Sequence, residues 1–235
     1  MKKLFFLTCL FLFIQYQVPG QSLTGLQGLI VTPSAEMHPN GTFVLGTSYF
    51  DHHNFEYGFY EYNGLAGYAS LTFLPFVELS FRYTSQIRTI SRENRNFPDR
   101  MPSFRIRALK ESKWLPAVAF GLHDISSVDG GGAKHFEASY LVLTKNFTII
   151  QLNIKANSGY GFGILNAKHH ELLGYFGGFT LSHGNFNHLQ AIIEYDSRDI
   201  NAGLKLLLWN HLQLLAVTRE MKYLEGSISY RMTMK

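Results

Sequence analysis

Four groups of side chains in this 235-residue chain have types and spacings that do chemistry. The adjacent pairs His52-His53 and His169-His170 carry imidazoles, which zinc, copper and nickel accept as ligands. His123 lies close in sequence to Ser126 and Ser139, the raw material of a base-activated serine nucleophile. The run Gly159-Tyr160-Gly161-Phe162-Gly163 has the glycine density of a phosphate-cradling loop. Finally, Glu78, Arg82, Arg105, Arg107, Lys155, Asp196, Lys205 and Arg231 recur at alternate positions within apolar stretches.

The first three groups fall short of a site. Neighbouring residues on extended backbone project to opposite faces, so adjacent histidines do not converge on one ion. His123 has no third group to orient it, and the glycine run has no phosphate-loop lysine and leads into no helix. The chain also lacks a Gly-x-Ser-x-Gly elbow, a Gly-Lys-Ser loop and a His-Glu-x-x-His pair. No catalytic centre, resident metal or cofactor is therefore expected. What remains is the fourth group, and the elements that carry it explain it.

Val77 to Gln86 reads VELSFRYTSQ, apolar and polar in strict alternation. A period of two describes a strand with one greasy and one wet face. The same pattern predicts twelve strands, over 42–50, 65–74, 77–87, 103–109, 117–125, 135–145, 147–156, 174–182, 189–196, 202–209, 212–219 and 226–233. The connections alternate between short ones (75–76, 110–116, 146, 183–188, 210–211) and long ones (51–64, 88–102, 126–134, 157–173), although 197–201 and 220–225 are shorter than that rule predicts. Tight turns on one side and long loops on the other belong to transmembrane barrels.

A soluble sandwich also alternates. The charges discriminate: all of them, including Glu137, Lys145, Glu194 and Arg219, fall in one register, opposite Phe104, Ile106, Phe120, Leu152, Leu204 and Ile228. Segments of this length suit a tilted membrane crossing better than the usual soluble strand of about 5–6 residues. Aromatic residues make up 15% of the chain and charged ones only 16%, against about 25% charge in ordinary soluble domains. Tyr49, Phe50, Phe73, Phe76, Tyr83, Trp114, Tyr140, Phe147, Tyr195, Trp209 and Tyr230 cluster near strand ends, as girdles at the headgroup levels would require. The fold class expected is all-β: an antiparallel transmembrane barrel of about twelve strands.

The N-terminus supplies the route to a membrane. Lys2 and Lys3 precede the apolar run 4–13, and Val18-Pro19-Gly20 offers a cleavage point, the layout of an export signal. Cys9 lies inside the apolar run, a poor place for lipid attachment. Loss of Lys2 and Lys3 takes the formal charge from +4 to +2, which removes any reason to invoke nucleic acid. The organisation expected is a signal peptide over 1–20, an irregular lead-in over 21–41 and a barrel over 42–235. The lead-in, without strand period and with Pro33, Pro39, Gly28 and Gly41, would plug the barrel mouth or dock a partner.

Several stretches resemble the YjbH family of exopolysaccharide- or capsule-associated outer-membrane proteins of Gram-negative bacteria. They are GLQGLIVTPSAEMHPNGTFVLGTSY (25–49), LTFLPFVELSFRYT (71–84), FRIRALKESKWLPAVAFGLHDI (104–125), YLVLTKNF (140–147) and EYDSRDINAGLKLLL (194–208). Members are commonly two to three times longer, with a second barrel-like half, so this chain looks like the N-terminal half. It departs from the family around Ser126 to Ser139, where Gly130-Gly131-Gly132 is inserted and Ala138-Ser139-Tyr140 replaces the usual Ser-Glu-Tyr.

The resemblance implies a non-enzymatic outer-membrane barrel that assists export or surface assembly of a polysaccharide. Its partners would be outer-membrane lipid, an acidic polymer drawn to the basic lumen residues, and polysaccharide-export proteins. A passive porin and a lipid or glycan hydrolase built on His123 are the alternatives. Asp124, Asp196, Arg198 and Asp199 would lie near the outer strand ends, there either to bind a sugar chain or to pair internally.

Overall fold

A strand exposes a row of unpaired N–H and C=O groups until a neighbour covers it, and a sheet that curls shut needs no edge. This chain takes that solution. A computed structural model describes residues 20–54, 56–57, 60–89, 99–125, 137–164 and 172–234. Residues 1–19, with Cys9 among them, Ser126, Gly130 to Gly132 and His169-His170 lie outside the described residues. Among those described there are thirteen strands: β1 (Thr42–Phe50), β2 (Glu56–Tyr57), β3 (Tyr60–Phe73), β4 (Val77–Thr89), β5 (Asp99–Leu109), β6 (Ala117–His123), β7 (Ala138–Ile149), β8 (Leu152–Phe162), β9 (Gly174–His183), β10 (Leu189–Tyr195), β11 (Ile200–Leu208), β12 (Leu212–Arg219) and β13 (Tyr223–Thr233). β2 is a two-residue ribbon on β3. The other twelve run antiparallel, each paired with its neighbour in sequence, and β1 closes the barrel against both β13 and β3.

The two registers face as the alternation predicts. Glu78, Ser80, Arg82 and Thr84 of β4 are buried, while Leu79, Phe81 and Tyr83 between them are exposed, and the same division runs around the barrel. The outside carries Phe73, Phe76, Phe147, Tyr160, Tyr175, Phe179, Tyr195 and Tyr230, with Trp114 and Trp209 at the short-turn end. An apolar face this continuous is far larger than the patches a soluble monomer leaves in water. Phe50 and Tyr140, read as girdle residues, instead point inward and are fully buried.

The β7–β8 hairpin departs from the expectation of a turn at Asn146. The strand runs through Asn146 to Ile149 and turns at Ile150-Gln151, with Ile150 at φ 56° and 94% exposed. Asn146 is held instead by Glu111, which accepts from its backbone N–H at 2.9 Å and its side-chain amide at 2.6 Å. The turn stands four positions later than expected, and the face of the residues before it is set by the pairing of β7 with β6, in which Tyr140, Val142 and Thr144 oppose Gly121, Ala119 and Ala117 and turn inward. Lys145 therefore lies on the outward register with Leu141 and Leu143, and its amine folds onto the carbonyls of Ser112 and Lys113 and the Glu111 carboxylate. β8 reaches Phe162, taking in residues 157–162 of the long loop expected over 157–173. β3 and β5 likewise begin earlier than expected, at Tyr60 and Asp99, so the loops over 51–64 and 88–102 are shorter than their composition implied.

Inside the wall, aromatic rings lie tightly over glycines on the adjacent strand. Gly46 faces Tyr68, Gly121 faces Tyr140 and Gly159 faces Phe176. A Cβ added at these glycines would approach the rings to 2.4, 2.3 and 2.2 Å respectively. The missing side chain is what lets each ring lie flat against the wall.

Candidate functional site: the barrel lumen and the segment inside it

The lumen is filled by the residues that precede the first strand. Between Gln21 and His38 every side chain except Gly28 and half-buried Glu36 is buried. The segment folds on itself before it meets the wall. Leu23 N–H donates to Ile30 O at 2.8 Å, Leu29 N–H to Thr32 O at 2.9 Å and Ser34 N–H to Gln27 O at 3.1 Å. Gly25, with φ 91°, makes one reversal that a side chain would oppose. At Gly28 the carbonyl of Thr32 would lie 2.2 Å from an added Cβ, so only glycine fits.

Two apolar clusters seat this knot. Leu23, Leu29, Ile30 and Val31 pack with Phe50, Tyr62, Ala66, Met101, Ile192, Leu215 and Val217. On the opposite side Ala35 enters a pocket of Ala117, Ala119, Ala138, Tyr140 and Phe176. The small inward residues of β6 leave room there for the inserted backbone.

The charged wall residues hold the knot by its backbone. Glu194 of β10 accepts from Ile30 N–H at 2.9 Å, Val31 N–H at 2.9 Å, Thr32 N–H at 3.2 Å and Thr32 Oγ1 at 2.7 Å. Three successive amides on one carboxylate form an anion nest, here occupied by the barrel's own side chain. Arg105 of β5 does the converse, donating to the carbonyls of Gln27, Ser34 and Glu36 while pairing with Glu78. Lys205 donates to Gly28 O at 2.8 Å and Leu29 O at 3.3 Å, and Lys155 pairs with Glu36. Gln213 and Gln21 exchange hydrogen bonds of 2.8 Å in both directions, and Thr144 Oγ1 accepts from Ala35 N–H at 2.7 Å. His38, also buried, has its imidazole held well below its ordinary pKa by burial and by Arg231, Arg105, Lys205 and Lys155 around it.

Of the residues singled out by sequence, Glu78, Arg105, Lys155 and Lys205 converge on the inserted segment. Arg82 sits nearer the long-loop end, paired with Asp99 at 3.2 Å. Asp196 belongs to a rim network with Arg219 at 3.2 Å and Asn201 at 2.8 Å, joined to Glu194 through the same Asn201 amide at 3.3 Å, and it also caps the Arg198 and Asp199 amides. Arg107 and Arg231 keep the inward register but lie at the short-turn rim, bonded to the carbonyls of Pro75 and Asn210. Internal pairing is thus the arrangement of Asp196, Arg198 and Asp199, the last two 3.5 Å apart. Asp124 is buried at a left-handed φ of 53°. His123 meets the ring edge of Tyr140, while Ser139 Oγ donates to Phe162 O at 2.7 Å, so these two make no nucleophile–base pair.

Sequence reasoning missed Asp99, Glu36 and the role of Glu194. Asp99 falls within the long loop expected over 88–102. The alternation Asp99, Met101, Ser103, Arg105 was nevertheless present and would have placed it inward.

A closed barrel with an apolar outside and a polar lumen occupied by its own N-terminal segment belongs to the membrane-barrel class. Within that class the chain belongs to the YjbH family. The family, described as "Exopolysaccharide biosynthesis protein YbjH", matches residues 20–179, from the inserted segment into β9. The chain is 32% identical over 149 residues to "Uncharacterized lipoprotein YjbH" of Escherichia coli (strain K12). That match takes in 60% of this chain and 19% of the relative, so the chain spans a small part of that protein's length.

Proposed function

We propose that the chain is a non-catalytic outer-membrane β-barrel that assists export or surface assembly of an extracellular polysaccharide. Residues 1–20 are its export leader and residues 21–41 its plug. The reading is carried by the filled lumen. Basic residues that would line a passage for an acidic polymer, Arg105, Lys155 and Lys205, are bonded to the inserted segment. The apolar exterior supports a membrane setting, and the family description supports the polysaccharide connection. An acidic polymer and polysaccharide-export proteins are the partners this assigns. The lumen would receive the polymer only after the plug has moved, and the carbonyls leaving those cations would be replaced by carboxylates.

A passive porin needs an open path, and the filled lumen weighs against it. Two measurements test the reading. Deleting the gene is expected to change the amount, length or attachment of surface polysaccharide, and an unchanged polymer overturns the export role. In planar bilayers the full protein is expected to be silent and a variant lacking residues 22–40 to conduct. Steady conductance with the plug in place would return the porin reading.

A further inference from the structure

At the long-loop end of β1 the chain enters a single 3-10 turn, His52–Asn54. Residues in such a turn are about 120° apart around its axis rather than the 180° of a strand. Adjacent histidines can then face the same way, which extended backbone forbids. The rings of His52 and His53 lie 3.8 Å apart between centroids, and both turn Nδ1 toward Oδ1 of Asp51, at 3.3 and 2.7 Å. One ligand atom from each of the three residues lies within 4.8 Å of the others.

We propose that Asp51, His52 and His53 form a binding site for a late first-row divalent cation, such as Zn2+, at the outer mouth of the barrel. Two imidazoles and a carboxylate make a donor set that such ions accept. Around a tetrahedral zinc with bonds of about 2.0–2.1 Å, ligand atoms stand roughly 3.3 Å apart. The His52–Asp51 spacing already has that value, and the His53–Asp51 pair needs to open by about half an ångström. A fourth donor is at hand: Asn63 Oδ1 lies 3.3 Å from His52 Nδ1 and accepts the His52 N–H at 3.0 Å.

The surrounding elements hold these ligands in place. The His53 ring stacks on Tyr223 of β13 at 4.0 Å and 13°. Glu225 Oε1 accepts from Asp51 N–H at 3.0 Å and from Asn54 Nδ2 at 2.9 Å, tying the turn to β13, while Asn63 ties it to β3. Fixed ligand orientation is what supporting groups contribute to metal affinity. The site is open to solvent, with the His53 side chain 43% exposed and His52 and Asp51 about half as much, at 21% and 20%. A cation there, with Asn63 as fourth ligand, would tie the turn that follows β1 to β3, while Tyr223 and Glu225 hold that turn against β13.

The test uses the detergent-purified full chain carrying a tag without histidine, titrated with zinc by calorimetry and checked by metal analysis after gel filtration. One zinc per chain with micromolar affinity is expected, weakened about tenfold to a hundredfold in His52→Gln, His53→Gln and Asp51→Asn. Cobalt in place of zinc is expected to give the strong visible absorption of a tetrahedral site, absent from the His53→Gln protein. Heat-modifiable gel migration confirms that each variant is still a barrel. Binding retained in the His52→Gln/His53→Gln double variant, or lost instead in His169→Gln/His170→Gln, overturns the assignment. So does a wild-type chain that takes up no zinc at about 100 μM free ion, where a micromolar site would be saturated.

Discussion

Replacing Glu194 by alanine removes one side chain from the wall and four acceptor contacts from the segment inside it. A hydrogen bond to a charged group contributes about 1.5–3 kcal/mol, so the contacts taken singly would sum to roughly 6–12 kcal/mol. Two effects reduce that figure. The variant no longer buries a carboxylate, which itself costs several kcal/mol, and the four bonds share one acceptor group and are not additive. A net loss of about 3–5 kcal/mol remains, the range found when one partner of a buried charged network is deleted. At about 1.4 kcal/mol per factor of ten, the population with the segment displaced rises by two to three and a half decades.

The assay is thiol access. Cys9 is the only cysteine in the chain, so a Cys9→Ser background carrying Ser34→Cys reports on one buried position in the lumen. Labelling by a water-soluble maleimide is expected to be slow in that background and at least about a hundredfold faster when Glu194→Ala is added. Glu194→Gln keeps one acceptor oxygen but turns the other position into a donor aimed at an amide, so an intermediate rate is expected. Equal labelling with and without Glu194, in proteins that both retain heat-modifiable migration, would refute the claim that this carboxylate anchors the segment.

Two further outcomes follow from the geometry. Gly121→Ala puts a methyl 2.3 Å from the buried Tyr140 ring and is expected to cost about 1–3 kcal/mol, read as a lower temperature of heat-modifiable conversion, with Gly67→Ala, which meets no atom within 4 Å, as the neutral control. His38 is held neutral in the folded protein because burial and neighbouring cations depress its pKa. Below about pH 6.5 the unfolded chain takes up a proton that the folded one refuses, so stability present at neutral pH declines as pH falls. His38→Leu is expected to flatten the drop in conversion temperature between about pH 7.5 and about pH 5, and an unaltered pH profile would remove His38 from the account.

Strand identity was legible because it is written between neighbours. In 77–86, one face is apolar and the other polar whatever the rest of the chain does, and β1 and β12 begin and end where the pattern predicts. The differences lie in how far individual strands extend. Asn146, expected as a turn, and Pro102, expected at the end of a loop, both lie within strands, because alternating neighbours and wall partners outweigh local preference. The histidine pair differs in another way: its convergence depends on one 3-10 turn that no periodicity announces.

The sequence by itself determined the all-β class, the two faces of the wall and the family. Each of these depends on short-range order, since a side chain's face is set by its position in a period of two. Only the tertiary structure decided what the charged lumen face is for. Ile30 and Glu194 are 164 residues apart, Ala35 and Thr144 109, and Gln21 and Gln213 192. Nothing in the spacing of those residues encodes their meeting. Closing the barrel brings them together, and the unpaired amides and carbonyls of a segment without strand partners then find the carboxylates and cations that the wall had turned inward.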